Sequence, residues 1–195
     1  MTDDVSTAPH TERILACLRR DPVFMPQDFG PQLAALIYLR WIDFQDAESE
    51  AIAAFDDAEY EPVLPPTLHW RTWHAYPPDR LQDLLASTLP GKLESLGNSR
   101  HNLLATHLHR MAEPVKRLGQ LAPETLAALV TWLAEQPFET PPDRLALLAV
   151  FDDVLDSTGG KWASEYRMPR AIVKLMVEIA APSRGERVYD HWFGS

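Results

Sequence analysis

The stretch PRAIVKLMVEIAAPSRGERVYDHWFGS, Pro169 to Ser195, decides how the rest of the chain is read. Pro169 suits the first turn of a helix. Ile172, Val173, Met176 and Ala180 follow at helical spacing and give that helix one apolar face. Pro182 to Gly185 reads as a tight turn, Arg187-Val188-Tyr189 as a strand, and Asp190 to Gly194 as a turn behind it. Val188–Tyr189 is the one convincing strand in the sequence, and a lone strand is not stable without sheet partners. A glycine turn after the first strand of a doubly wound sheet lets backbone approach a nucleoside cofactor. Residues 161–195 therefore predict the first helix and first strand of an unfinished second domain.

Upstream, the patterns are helical. Residues 1–9 are polar and predict disorder. Thr11 to Arg20 predicts a short helix with Ile14, Leu15 and Leu18 on one face. Asp28-Phe-Gly-Pro31 opens a long helix, capped by Asp28 or Gly30, with Leu33, Leu36, Ile37, Trp41 and Phe44 at helical spacing. Its second half, Asp46 to Asp57, is acidic and predicts a solvated face. Glu61 to Pro78 holds five prolines and two tryptophans, so it predicts an ordered loop laying Trp70 and Trp73 on the bundle. Further helices are predicted from Pro78, over Leu103 to about Pro114, from Pro123, and from Pro142 to a break at Asp156–Gly160. The expected fold is mainly α: a helical bundle over 10–160, then the start of a second domain at 161–195.

Composition narrows the function. The chain has 195 residues, 46% of them hydrophobic, enough for a sizeable core. Its formal charge is -10, with basic residues scattered, so any contact with DNA would draw most of its attraction from other domains or subunits. No long uncharged apolar run suggests a membrane span, and the polar start is not a signal peptide. Cys17 is the single cysteine, which leaves no disulfide framework or thiolate zinc cluster and points to a bacterial-type cytoplasm.

The segment from Gly159 to Ser195 resembles the junction in modification (methyltransferase) subunits of type I restriction-modification systems and related DNA adenine-N6 methyltransferases. Those proteins carry a helical N-terminal domain, a motif near F-Y-T-P-R, an apolar helix, a P-x-x-G-E turn and V-Y-D-P-x-x-G-S-G. Tyr166, Pro169 and Arg170 fall on the first motif; Val188, Tyr189, Asp190, Gly194 and Ser195 fall on the last. Arg167 and Met168 stand where the family has Tyr and Thr, and His191 where it has Pro. The resemblance implies that residues 161–195 are the first helix and strand of an incomplete Rossmann-like methyltransferase domain, and S-adenosylmethionine the cofactor of a longer parent, with Tyr166, Pro169, Asp190, Gly194 and Ser195 as its binding residues. Upstream, LAALIYLRWID (Leu33–Asp43) is similar to the family's L-F-L-R-Y-L-S-D helix, LPPTLHWRTW to its P-x-x-x-x-W loop, and LLAVFDDVLD to its G-x-x-Y-E-x-L-L helix.

The family's catalytic [DNS]-P-P-[FYW] tetrapeptide holds a flipped adenine. Pro65-Pro66, Pro77-Pro78 and Pro141-Pro142 are followed by Thr, Asp and Asp, so no methyl transfer is expected from these residues alone, and no cofactor bound by them. The resemblance implies DNA and a specificity or restriction subunit as partners. The alternative is a non-catalytic helical protein-interaction or DNA-binding module derived from such an enzyme. His101, His107 and His109 lack the i, i+4 spacing of a helical zinc pair and read as solvated or capping groups. Asp152, Asp153 and Asp156 read as a solvated acidic face, and Gly159-Gly160-Lys161 as a linker. The helix after Pro169, if it stayed uncovered, would invite self-association.

Overall fold

The computed structural model describes residues 8–23, 25, 29–99, 103–158, 168, 170–183, 185–187 and 189. The elements are α1 (Ala8–Leu18), α2 (Phe29–Phe55), a 3-10 turn (Pro66–Leu68), α3 (Trp70–Trp73), α4 (Pro78–Asp83), a π turn (Leu84–Thr88), α5 (Leu89–Ser99), α6 (Leu103–Leu118), α7 (Pro123–Glu135), α8 (Pro141–Thr158) and α9 (Arg170–Ala180). Among the described residues there is no strand. The chain is mainly helical, as expected.

One hydrophobic core joins α1 to α8. Leu33, Leu36 and Leu39 of α2, Leu108, Val115 and Leu118 of α6 and Leu126, Val130 and Leu133 of α7 all belong to that core and are fully buried. The most extensive helix contact is α5 on α6; α4 packs on α7, α1 on α7 and α8, and α2 on α6 and α8. Burying one such leucine contributes about 1.5–3 kcal/mol, which is why the 3.6-residue apolar period dictates the bundle.

Several helix boundaries differ from the sequence expectation: α1 runs from Ala8 to Leu18 rather than from Thr11 to Arg20. α6 does not end near Pro114 but runs through it to Leu118. Val115 and Leu118 are fully buried, and their burial offsets the roughly 3 kcal/mol that an interior proline costs. The helix from Pro78, whose end the sequence left open, continues past Asp83. It widens into a π turn in which Leu89 N–H donates to the Leu84 carbonyl, then continues as α5. Pro90 follows directly, has no N–H and would crowd a normal helical turn, so the ladder widens just before it. α8 starts at Pro141, one residue early, because Thr140 caps it. Thr140 N–H and its hydroxyl donate to Asp143 Oδ2 at 2.9 and 2.6 Å, and Asp143 N–H reaches Thr140 Oγ1 at 3.4 Å. This is a capping box with Asp in the third helical position.

Gly119, just past α6, is required by close approach. A Cβ there would lie 2.3 Å from the backbone nitrogen of Ala86 in the π turn.

The C-terminal region divides. α9 forms where the apolar spacing predicts it, and Ala181 ends it with a left-handed backbone, φ +42°. The strand does not form among the described residues: Tyr189 lies in irregular, exposed chain, and Val188 lies outside them. Among the described residues there is no strand for it to pair with. The apolar side chains of α9, among them Ile172, Leu175, Met176 and Ile179, are exposed, Ile179 by 76%.

Candidate functional site

The segment Leu39-Arg40-Trp41-Ile42-Asp43, in the middle of α2, and Asp46 just beyond it make polar contacts to distant parts of the chain. Leu39 and Ile42 are buried in the core. Arg40 points to the end of α7, where the last helical carbonyls have no intrahelical donor. Its guanidinium donates from Nη1 to the Leu133 carbonyl and from Nη2 to the Gln136 carbonyl at 2.8 Å, and lies 4.6 Å over the Phe138 ring. Burial pushes the Arg40 guanidinium below its ordinary value, and the Glu139 carboxylate works in the other direction. Trp41 turns outward and stacks on Tyr38 at 5.9 Å. Burial in turn pushes the Tyr38 phenol above its ordinary value.

Asp43 and Asp46 face the proline-rich loop. The acidic half of α2 was expected to be solvated, and for Asp46 that is wrong: it is 1% exposed. Its Oδ1 accepts the Tyr60 hydroxyl at 2.7 Å and Val63 N–H at 2.9 Å, and its Oδ2 accepts Leu64 N–H at 3.3 Å. Val63 and Leu64 precede the 3-10 turn in a stretch with no helix or sheet to satisfy their N–H groups, and buried N–H groups need acceptors. The two carboxylates, three residues apart on one face of α2, supply them. Asp43 Oδ2 accepts Arg71 N–H at 2.9 Å.

His69 sits between these carboxylates and is also buried. Its Nε2 lies 2.8 Å from the Leu64 carbonyl and 3.6 Å from Asp46 Oδ2. Its Nδ1 lies 2.8 Å from Arg71 Nη2 and 3.5 Å from Asp43 Oδ1. A carbonyl at Nε2 and a guanidinium at Nδ1 fit the Nε2–H tautomer. The tryptophans complete the cluster. Trp73 donates from Nε1 to the Leu68 carbonyl at 3.0 Å and meets Trp70 edge to face at 4.7 Å, both buried. The loop thus lays both rings on the bundle as expected, though it winds into α3 to do so.

This arrangement holds a loop; it presents no exposed nucleophile. Two further features are candidates for contact with other molecules. A cavity of about 350 Å³ between α1, α7 and α8 is lined by His10, Arg13, Glu135, Asp143, Leu147 and Val150, and an Arg13–Glu135 ion pair of 2.9 Å lies along it. The other is the uncovered apolar face of α9.

The cofactor residues implied by resemblance, Tyr166, Pro169, Asp190, Gly194 and Ser195, all lie outside the described residues, as do Arg167, His191 and His101. Their described neighbours Met168, Glu186, Arg187 and Tyr189 are exposed. His107 is exposed beside the Tyr38 ring, at 6.5 Å, and His109 is exposed on the same helix. Among the described residues no three His, Cys, Asp or Glu side chains are grouped to hold a metal ion. Asp152 and Asp153 are half-buried rather than fully solvated. Among the same residues, no helix is long and apolar enough to cross a membrane. Sequence reasoning missed the Asp43–Asp46–His69–Arg71 cluster. The signal available was a pair of aspartates at i, i+3 on a helix face that also carries core leucines.

No protein-family model and no curated protein matches the sequence. A solved structure does. It is a type I R-M system, described for its complex assembly and conformational transition, and one of its chains superposes with a TM-score of 0.70. That chain is 26% identical, and the match covers 95% of this chain and 37% of that one. The chain is therefore similar, over nearly all of its length, to part of a subunit of such a system, and spans well under half of that neighbour's length.

Proposed function

We propose that this chain is the helical N-terminal region of the modification subunit of a type I restriction-modification enzyme, a DNA adenine-N6 methyltransferase. The observation that carries this reading is the likeness over 95% of the chain to a chain of a type I R-M complex, together with the order of motifs from Leu33 to Ser195. In that role the bundle helps to close the enzyme around DNA and docks a specificity or restriction subunit. Its own charge of -10 makes it a poor gripper of phosphates alone, so docking to a protein is the larger part of its work.

Catalysis is assigned elsewhere in the subunit, since the [DNS]-P-P-[FYW] acceptor motif is not among these residues. S-adenosylmethionine, when bound, supplies the methyl group. Tyr166, Pro169, Asp190, Gly194 and Ser195 are the residues that would help hold it in the whole subunit. The described residues next to them are exposed and do not by themselves enclose a nucleoside.

The test has two parts. The reading frame that encodes this chain is expected to continue with glycine and later an Asn- or Asp-Pro-Pro-aromatic motif. The whole product, with its specificity subunit, is expected to methylate adenine in DNA. A frame lacking both features would overturn the reading. Arg167, Met168 and His191 favour a second reading, in which the same bundle is a non-catalytic interaction module. S-adenosylmethionine binding by the whole product, measured by calorimetry, would decide against that alternative.

A further inference from the structure

We propose that His69 is a proton-operated latch that sets whether the Arg71 guanidinium is held against the tryptophan loop or released to solvent. The inference is independent of the function proposed above. It starts from an acceptor without a hydrogen bond. Asp43 Oδ1 is buried and accepts none, although Arg71 Nε lies only 3.1 Å away. The Nε–H is directed instead to His69 Nδ1, at 3.3 Å, and Nη2 reaches the same nitrogen at 2.8 Å. Charge attraction without an aligned donor leaves Oδ1 underused, and an underused buried acceptor is costly.

A second proton on the imidazole resolves this. Nδ1 ceases to be an acceptor, so the Arg71 N–H groups lose their partner and meet a like charge. The new Nδ1–H has Asp43 Oδ1 in front of it at 3.5 Å. Nε2–H keeps the Leu64 carbonyl in both states. The groups facing His69 are the Asp43 and Asp46 carboxylates from α2 and the Arg71 guanidinium from α3. With the ring neutral, the guanidinium is the one positive charge facing the two carboxylates; with the ring charged, the imidazolium supplies that positive charge in its place. Asp46 stays committed to Tyr60, Val63 and Leu64. Arg71 is free to leave because its side chain is 44% exposed, and Glu50 waits 3.6 Å from Nη2 on the solvent side. The backbone N–H of Arg71 remains on Asp43 Oδ2, so the loop stays docked while its surface gains a mobile positive charge.

Nitrogen-15 spectra of the full chain, labelled at histidine and arginine, test this between about pH 8 and about pH 5. His69→Gln identifies the ring signals. The expected result is a neutral ring protonated on Nε2 at high pH. On protonation, Arg71 Nε–H exchange rises at least about tenfold relative to Arg110 in the same spectrum. In His69→Gln, the Arg71 exchange ratio stays flat with pH. In Asp43→Asn, ring protonation and Arg71 exchange uncouple. A proton on Nδ1 at high pH, protonation without faster Arg71 exchange, or a ring that stays neutral until the chain unfolds would each overturn the proposal.

Discussion

The loop junction on α2 and the helix α9 invert each other. At the junction, two aspartates and a histidine are buried among tryptophans. On α9, isoleucine, leucine and methionine face water. Residue polarity alone would have placed both sets the other way. The difference lies in which groups need partners. The proline-rich loop brings N–H groups that no regular element satisfies, and carboxylates on α2 accept them. α9 brings an apolar stripe to a place where no described element covers it.

The largest expected effect is on the junction's apolar half. Trp73→Ala removes a fully buried ring and the donor to the Leu68 carbonyl. It should destabilise the chain by about 3–5 kcal/mol in urea denaturation. A loss under about 1 kcal/mol would mean the loop is not part of the cooperative core. Next comes its polar half. Asp46→Ala strands Tyr60, Val63 and Leu64 donors and should cost about 3 kcal/mol, with exchange protection at Val63 and Leu64 lost first. Between the two regions, Gly119→Ala forces a methyl into the π turn and should cost roughly 1–3 kcal/mol. An unchanged denaturation midpoint would show that the π turn yields freely.

On α9 the same kind of change should do little. Ile179→Ala or Met176→Ser should shift stability by no more than about 0.5 kcal/mol, while reducing any concentration-dependent association seen by sedimentation. A large loss of stability would show that this face is covered after all, and would end the contrast. The smallest effect concerns the exposed cap of α8. Hydrogen bonds from the Thr140 hydroxyl and backbone hold the Asp143 carboxyl below the ordinary aspartate range. The folded value is depressed, so the cap stabilises above the unfolded value and fades as pH falls through the lowered one. Asp143→Asn should flatten that acid-side dependence at the start of α8, read by amide exchange.

Much of the bundle was legible. Leu126, Leu129, Val130 and Leu133 predicted α7, and Pro123 its first turn. The proline signals were read too strictly at Pro114, because two fully buried residues beyond it outweigh a missing hydrogen bond. The π turn before Pro90 left no distinct trace, since its apolar spacing still reads as helix. The cofactor residues read by resemblance have no described surroundings. The polar cluster was missed for a physical reason: Asp43 and Asp46 look like solvent-facing acids until the chain returns at Val63, Leu64, His69 and Arg71 to bring their donors. Such long-range satisfaction is invisible to local periodicity.

The return of the chain to Asp46 also divides α2 into a fixed and a free part. Beyond Asp46 the helix runs to Phe55, which is 90% exposed, and turns back across Asp57 at φ +53° to Tyr60. Both ends of this excursion are tied to the same carboxylate, Tyr60 by its hydroxyl and α2 by its own backbone. Lengthening a closed excursion costs only about 0.6 kcal/mol per doubling. In evolutionary terms, insertions and deletions between Ala47 and Glu59 are cheap length changes, and the aspartate at their root is the residue that cannot drift with them.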